Sequence, residues 1–202
     1  MNGGMRLRRM LAVTHETTLT GAPMNLLHFV DWVTRHTDVQ VHLLVMQDGP
    51  LRHRFERVCE VTVLDRSTAA GLLGVAQQGL LHLGSSRAWR PVARARLQPQ
   101  LRRFDDFDLV YSNSIASSAV LPYLPRARAI VSHVHELQVA MRTWRPPEFL
   151  DAFDHLSDAW IAASGAVRDL LVDERCFPAD RVLLHHEFID AHGIAERAVP
   201  LR

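Results

Sequence analysis

Short apolar runs alternate with segments of helical periodicity along almost the whole chain. The apolar runs are rich in Val, Ile and Leu and show little alternation with polar residues, which is typical of strands buried on both faces. The predicted strands are 9–14, 39–46, 61–64, 109–112, 129–134, 160–163 and 182–184, and the predicted helices are 24–35, 51–58, 87–104, 115–124, 148–156 and 165–174. This alternation predicts an α/β fold with a doubly wound, mostly parallel sheet of about seven strands and helices on both faces.

The alternation also suggests how the chain is divided. There is no linker rich in Pro, Gly or Ser that would split it, so we predict one Rossmann-like domain over residues 1–186. Glycines at positions 71, 74, 79 and 84 interrupt the region after the third strand, which we interpret as an irregular excursion. Residues 187–202 have weak periodicity and are interpreted as a C-terminal tail or the start of a further element.

Composition narrows the class of protein. The formal net charge is +1, which gives no field to attract nucleic acid over the whole surface, so we expect no nucleic-acid partner. Only two cysteines, Cys59 and Cys176, are present, which excludes a disulfide scaffold and favours a reducing, cytoplasmic compartment. No apolar stretch is long enough for a membrane span, and the N-terminus lacks the apolar region of a signal peptide.

The loop 15–23, after the first predicted strand, is the first candidate site. In open α/β sheets ligands bind beyond the carboxyl ends of strands, near helix N-termini that favour anions. Gly21 would let the backbone approach a phosphate, and the hydroxyls of Thr17, Thr18 and Thr20 can donate hydrogen bonds. The loop has neither the three-glycine dinucleotide fingerprint of a Rossmann oxidoreductase nor a P-loop lysine. The alternative interpretation is a connection capped by Thr20, with Pro23 in the first helical turn.

A second candidate follows the fifth predicted strand. Strand alternation places His133 and His135 on one face and Val134 on the other. A neutral imidazole could bind a sugar hydroxyl or phosphate, and Glu136 could orient the imidazole or exchange protons with it. Two histidines at this spacing do not make a zinc site without further ligands, so no metal is expected. The alternative is that these polar groups only close a strand into a turn.

Polar residues also follow other predicted strands. Asn113 and Ser114 can contact a ligand or cap the helix after them, and the same choice applies to Ser164 and Gly165. The cluster His185, His186 and Glu187 has no spaced partners and is interpreted as a set of polar residues at a strand end.

The segment from Arg87 to Arg103 carries six arginines and no acidic residue. Its apolar residues recur at helical spacing, although Pro99 should bend or break a helix. Such a segment can attach a protein peripherally to the inner, anionic face of a membrane. The alternative is a surface helix that packs one face on the sheet and solvates the other.

Taken together, the motifs resemble the N-terminal half of family 4 glycosyltransferases, which have the two-domain GT-B fold. The resemblance extends over about 180 residues. His135 matches the position of the active-site histidine in that family. The matching segments are the first strand, Thr20-Gly21-Ala22-Pro23 with Leu26 and Leu27, 131–136, 158–164, 167–171 and 181–190. Thr20 stands where the family usually has a second glycine, and Glu187-Phe188-Ile189-Asp190 replaces its usual Asn-Gly before the Asp.

The resemblance implies an acceptor-binding N-terminal domain of a retaining, nucleotide-sugar-dependent transferase, with 187–202 as the start of the interdomain crossover. The missing C-terminal domain would bind the donor, and no metal or other cofactor would be required. His135 and Glu136 are implied as catalytic residues. Thr20, Gly21 and Ala22 would face the donor diphosphate, and Asn113, Ser114 and His133 would bind the sugar or small-molecule acceptor.

Domain closure aligns donor and acceptor in such enzymes, so we expect this chain alone to have no appreciable transferase activity. The alternative function is a non-catalytic α/β module that binds a sugar, a nucleotide or a protein partner.

Overall fold

A computed structural model describes residues 6–64, 86–143 and 148–187 of the chain. The strands are β1 (Arg9–Thr14), β2 (Gln40–Val45), β3 (Glu60–Val63), β4 (Leu109–Asn113), β5 (Ala129–Val134), β6 (Ala159–Ala162) and β7 (Val182–Leu184). The α-helices are α1 (Gly21–His36), α2 (Arg52–Phe55), α3 (Ser86–Leu101), α4 (Gln138–Thr143), α5 (Glu148–Leu156) and α6 (Gly165–Asp169). Two 3₁₀ helices (Ile115–Tyr123 and Ala179–Arg181) and a π-helical turn (Leu170–Glu174) complete the described elements.

The seven strands form one sheet in the order β3-β2-β1-β4-β5-β6-β7, and every pair is parallel. From β1 the chain first builds outward through β2 and β3, and then returns to place β4 on the other side of β1. The direction of winding therefore reverses between β1 and β4. Open α/β sheets bind ligands in the crevice at such a reversal, outside the carboxyl ends of the strands. A ligand site is therefore expected at the carboxyl ends of β1, β4 and β5.

Strand register sets which side chains reach that crevice. Thr14 at the end of β1 lies opposite Asn113 of β4, and Asn113 lies opposite His133 of β5. The three strands therefore end at nearly the same level, and the residues that follow them meet at one edge.

Side chains of successive strand residues enter different cores, as the pleat requires. On β1, Leu11 and Val13 pack with α3 and the first 3₁₀ helix, whereas Met10 and Ala12 pack with α1. A third core joins β5, β6 and β7 to α5 and α6, with Phe153 and Trp160 buried at its centre. Helices thus cover both faces of the sheet, as predicted.

The fold class is confirmed, and the strands of the described residues are all parallel rather than mostly so. Predicted strands 9–14, 129–134 and 182–184 and predicted helix 148–156 have the observed bounds. The segment 115–124 is a 3₁₀ helix, not an α-helix, and 165–174 is a short α-helix followed by a π-helical turn. Helix α4 was not predicted. The glycine-interrupted excursion and residues 188–202 lie outside the described residues.

The prediction that Pro99 bends or breaks its helix is wrong in one respect, because α3 continues through Pro99 to Leu101. A proline leaves the carbonyl four residues earlier without its helical partner, and here that residue is the exposed Ala95. Water can satisfy a carbonyl on an exposed helix face, which explains why the helix continues through Pro99. Within the described ranges, no helix combines the length and the apolar character needed to cross a bilayer.

Candidate functional site at the carboxyl edge of the sheet

Three segments that are remote in sequence are joined by the side chain of Asn113. Its Nδ2 donates to the carbonyl of Ala22 at 3.1 Å, and its Oδ1 lies 3.0 Å from Nε2 of His135. Because the amide nitrogen must face the Ala22 carbonyl, the amide oxygen faces the imidazole and makes Nε2 of His135 a donor. Asn113 is 1% exposed, so it is a fixed anchor between the start of α1, the end of β4 and the residue after β5.

The other ring nitrogen of His135 is also occupied. Its Nδ1 pairs with the carboxylate of Glu187, three residues beyond the end of β7. The ring therefore lies between two acceptors, the Asn113 amide oxygen and the Glu187 carboxylate. His135 also lies against the ring of His133, with centroids 4.2 Å apart.

His133 and Tyr111 form a buried pair beneath His135. The Tyr111 hydroxyl lies 2.6 Å from Nδ1 of His133. Burial, with the nearby His135 and His185, lowers the pKa of His133 to about 3. Burial, followed by the charge of Glu187, raises the pKa of the Tyr111 hydroxyl well above its usual value. The hydroxyl therefore keeps its proton and donates a hydrogen bond to Nδ1 of a neutral imidazole.

This pair belongs to the floor of a cleft of about 740 Å³ beside helix α1. Aromatic side chains from the helix form part of its wall, and Trp32 is 55% exposed. The volume falls within the range of small-molecule sites. Glu187 also lines this cleft, so the carboxylate that pairs with His135 stands between the cleft and the sheet edge.

Glu136, predicted to orient His135 or exchange protons with it, contacts the main chain. Its Oε1 accepts from the backbone N–H of Ile115 at 3.1 Å, and its Oε2 accepts from the backbone N–H of His135 at 3.0 Å. Both oxygens thus bind backbone amides. In this position Glu136 clamps the segment after β5 to the start of the 3₁₀ helix, and orients His135 through the main chain.

Ser114 lies in a strained turn at the end of β4, with φ 81°. Its hydroxyl is 3.0 Å from Nδ1 of His15, and Nε2 of His15 is 3.3 Å from the Glu16 carboxylate. The order serine, histidine, carboxylate matches that of activated serine nucleophiles. However, Ser114 is 2% exposed, and the amide that would serve as an oxyanion donor, that of Ile115, is bound by Glu136. The chain of contacts therefore braces the loop after β1 against β4.

The loop between β1 and α1 ends at Thr20, the N-cap position of α1. The Thr20 side chain makes no cap hydrogen bond to the helix, so the predicted side-chain cap is absent, and its hydroxyl lies 3.0 Å from that of Thr18. A Cβ placed on Gly21 would meet no atom within 4 Å. Gly21 therefore faces open space, and the N–H groups of Gly21 and Ala22 precede the first helical hydrogen bond, from Met24 to Thr20, as an anion site requires.

Two further predictions concern the N-terminal cap of α6 and the exposed face of α3. Ser164 caps α6, because its hydroxyl accepts from the backbone N–H of Val167 at 3.3 Å. Helix α3 buries Ala93 and Leu101 in the core while Arg94 remains exposed, so the interpretation as a surface helix packed on the sheet is confirmed. Contact of this segment with a membrane remains a prediction.

The structure brings Ala22, Asn113 and His135 together, with Gly21 and Ser114 adjacent to them in the chain. His133 is 7% exposed and lies under His135 rather than at the open edge. The sequence interpretation included Tyr111 and His15 in candidate segments without giving them a role, and it treated Glu187 as a strand-end residue without partners. No local pattern indicates the Glu187 contact, because 52 residues separate it from His135.

No protein-family profile and no curated protein matches this sequence. Solved structures do match the fold. The HepE protein of Anabaena, determined in complex with UDP and glucose, is 16% identical, with a TM-score of 0.61 over 91% of this chain and 45% of its own. The lipopolysaccharide outer core galactosyltransferase WaaB is 10% identical, with a TM-score of 0.53 over 87% of this chain and 44% of its own. A UDP-N-acetylglucosamine 2-epimerase is 14% identical, with a TM-score of 0.55 over 89% of this chain and 48% of its own.

The chain therefore spans about half the length of these proteins. Identities this low establish architecture and leave activity open. The architecture is that of one Rossmann-like half of the GT-B fold, as found in nucleotide-sugar glycosyltransferases.

Proposed function

We propose that the chain is the acceptor-binding, N-terminal half of a retaining, nucleotide-sugar-dependent glycosyltransferase similar to those of family 4. The observation that carries the proposal is the junction of Ala22, Asn113 and His135 at the crevice between β1 and β4. It combines an open helix N-terminus, a fixed amide and an imidazole at the point where this class of sheet binds ligands. Residues 1–186 would form the domain, and 187–202 would begin the crossover to a donor-binding domain.

In this proposal each part of the edge has its own task. His135 contacts the transferred sugar through a ring N–H, and Asn113 fixes the orientation of that ring. Gly21, with Thr20 and Ala22, faces the donor diphosphate, where the α1 dipole offsets the negative charge of the leaving group. Glu136 acts as a positioning residue through the His135 main chain, and Ser114 and His133 support the acceptor side from below the surface.

Binding by the 202-residue chain tests the proposal. A ¹⁵N-labelled sample is titrated separately with UDP, UDP-glucose, UDP-N-acetylglucosamine, glucose and galactose, and amide shifts are followed by NMR. We expect at least one sugar ligand to shift Gly21, Asn113 and His135. His135→Ala should weaken that binding on the order of tenfold, as expected for the loss of a hydrogen bond to a polar ligand group. His186→Ala removes an exposed imidazole near Glu187 and is the matched control.

Shifts confined to other parts of the chain, or equal effects of the two substitutions, would refute the site. Incubation with UDP-glucose and the same sugars should release no UDP, because the donor-binding half is required for transfer. A nucleotide sugar recovered with unchanged mass and altered stereochemistry would instead indicate the epimerase reaction, which also uses this fold.

A further inference from the structure

Both ring nitrogens of His135 are used within the chain. Nε2 faces the Asn113 amide oxygen at 3.0 Å, and Nδ1 faces the Glu187 carboxylate. Both in-plane positions of the ring are therefore taken by partners within the chain. Any ligand that contacts this ring in the plane must therefore displace one of the two residues.

The two partners differ in how firmly they are held. Asn113 is 1% exposed and is fixed by its second hydrogen bond, to the Ala22 carbonyl. Glu187 has a side chain that is 38% exposed, and it lies beyond the last strand rather than within one. Displacing Asn113 would leave a buried amide without its partner, which is costly. Displacing Glu187 returns an exposed carboxylate to water, so Glu187 is the exchangeable partner.

We propose that Glu187 is an internal latch on His135: it occupies Nδ1, the ring position that a ligand at this edge takes, and ligand binding requires its release. The chemistry of the displaced group defines the incoming one. An oxygen acceptor, such as a sugar hydroxyl or an anionic oxygen, replaces the carboxylate oxygen on the same N–H. That the ligand is a sugar rests on the proposed function, whereas the latch itself rests only on the contacts of His135.

The latch also relates the edge to the cleft beside α1. Glu187 and His133 both line that cleft, and His133 lies against the ring that Glu187 holds. Release of the carboxylate therefore changes one wall of the cleft at the same time as it frees Nδ1. The position of the Glu187 side chain therefore affects both a ligand at the sheet edge and a molecule bound in the cleft.

Chemical modification tests the latch without any ligand. Diethyl pyrocarbonate acylates unprotonated, accessible imidazole nitrogens, and fragment mass spectrometry locates the adduct on His135. The full chain is compared as wild type, Glu187→Ala, Glu187→Gln and Asp180→Asn, with the exposed His53 as internal reference. Asp180 lies just before β7, so Asp180→Asn removes one exposed negative charge from the same region. Circular dichroism establishes that each variant is folded.

We expect Glu187→Ala to raise the acylation rate of His135 on the order of tenfold, because Nδ1 loses the partner that occupies it. Glu187→Gln should give a smaller rise, since its amide oxygen can still accept from Nδ1 without the charge. Asp180→Asn should match the wild type. Equal rates in wild type, Glu187→Ala and Glu187→Gln, or an equal rise in Asp180→Asn, would overturn the latch. The sugar titrations are read separately, so failure of sugar binding would refute the proposed function while leaving this result standing.

Discussion

Protonation of the buried His133 should limit the stability of this domain in mild acid. Its pKa is lowered from 6.5 to about 3 in the folded chain, mainly by burial. In the unfolded chain the imidazole recovers its ordinary pKa near 6.5. Between these values only the unfolded state takes up the proton. The contribution of His133 to stability is therefore complete above pH 6.5 and is lost progressively as the pH falls toward 3.

The loss of folding free energy depends on how far the pH lies below the unfolded-state pKa of His133. Each pH unit below the unfolded pKa costs about 1.4 kcal/mol, so lowering the pH from 7 to 5 should cost about 2 kcal/mol through this residue alone. That is a substantial part of the total stability of an ordinary domain. The burial of His133, at 7% exposure, means that solvent screens little of this effect.

Urea unfolding at pH 5, 6, 7 and 8, followed by tryptophan fluorescence and circular dichroism, measures the loss directly. The informative variant is His133→Asn, because the Asn amide oxygen can take the place of Nδ1 as the acceptor of the Tyr111 hydroxyl. It should lose about 2 kcal/mol less than wild type between pH 7 and pH 5, whatever its stability at pH 7. His53→Asn, at an exposed position of α2, controls for the substitution. Parallel curves for wild type and His133→Asn would show that the folded His133 is protonated freely, and would refute the buried neutral pair.

Three further predictions concern Gly49, which follows β2 and packs on the loop after β1, Gly21 at the start of α1, and helix α3. Gly49→Ala should destabilise the domain by about 1–3 kcal/mol, because a Cβ there would lie 2.7 Å from the Thr17 carbonyl oxygen. Gly21→Ala, which adds a methyl group to open space at the start of a helix, should raise stability by up to about 1 kcal/mol, and unfolding curves that rank the two variants the other way would contradict the described loop. The triple variant Arg94→Gln, Arg102→Gln, Arg103→Gln should weaken salt-sensitive binding to vesicles of phosphatidylcholine and phosphatidylglycerol, by about 1 kcal/mol for each arginine. Neutralising the exposed Arg57, Arg126 and Arg181 is the charge-matched control for flotation or sedimentation assays, and equal losses in both triple variants would remove α3 as the membrane contact.

The sheet could be predicted almost completely because its strands carry their own signal. Buried parallel strands need apolar side chains on both faces, and the consecutive apolar residues 10–13 in β1 and 129–131 in β5 satisfy this need. Helix α4 has six residues and no repeated apolar face, so nothing in its sequence distinguishes it from a loop. The 3₁₀ helix was predicted at nearly the right place but as the wrong type, because apolar spacing does not separate two tight helical forms that differ by one residue in their hydrogen bonds.

Some residues of the candidate site could likewise be predicted from the sequence, and others could not. Asn113 and His135 could be predicted because parallel strands end together, which needs only the order of the strands. The tasks of Glu136 and Glu187 could not be predicted, because they depend on where a carboxylate points after the strand has ended. Glu136 is adjacent to His135 in the chain and binds its backbone, whereas Glu187 is remote in the chain and binds its ring. Nearness in sequence therefore indicated that Glu136 is close to His135 but not which carboxylate contacts the ring.

The edge and the cleft share one structural cause, the period of two along β4 and β5. Tyr111 and Asn113 alternate with Ser112 on β4, and His133 on β5 and His135 just after it alternate with Val134, so all four lie on the α1 face. A slip of one residue in either strand would move its pair to the opposite face and dismantle both the amide–imidazole contact at the edge and the hydroxyl–imidazole contact in the floor. Neither contact can be lost alone by a change of register. The pairing of β4 with β5 therefore places the His135 imidazole against that of His133, and the same pairing buries Tyr111 and His133 in the floor of the cleft. A fixed imidazole at the open edge thus requires a buried polar pair beneath it.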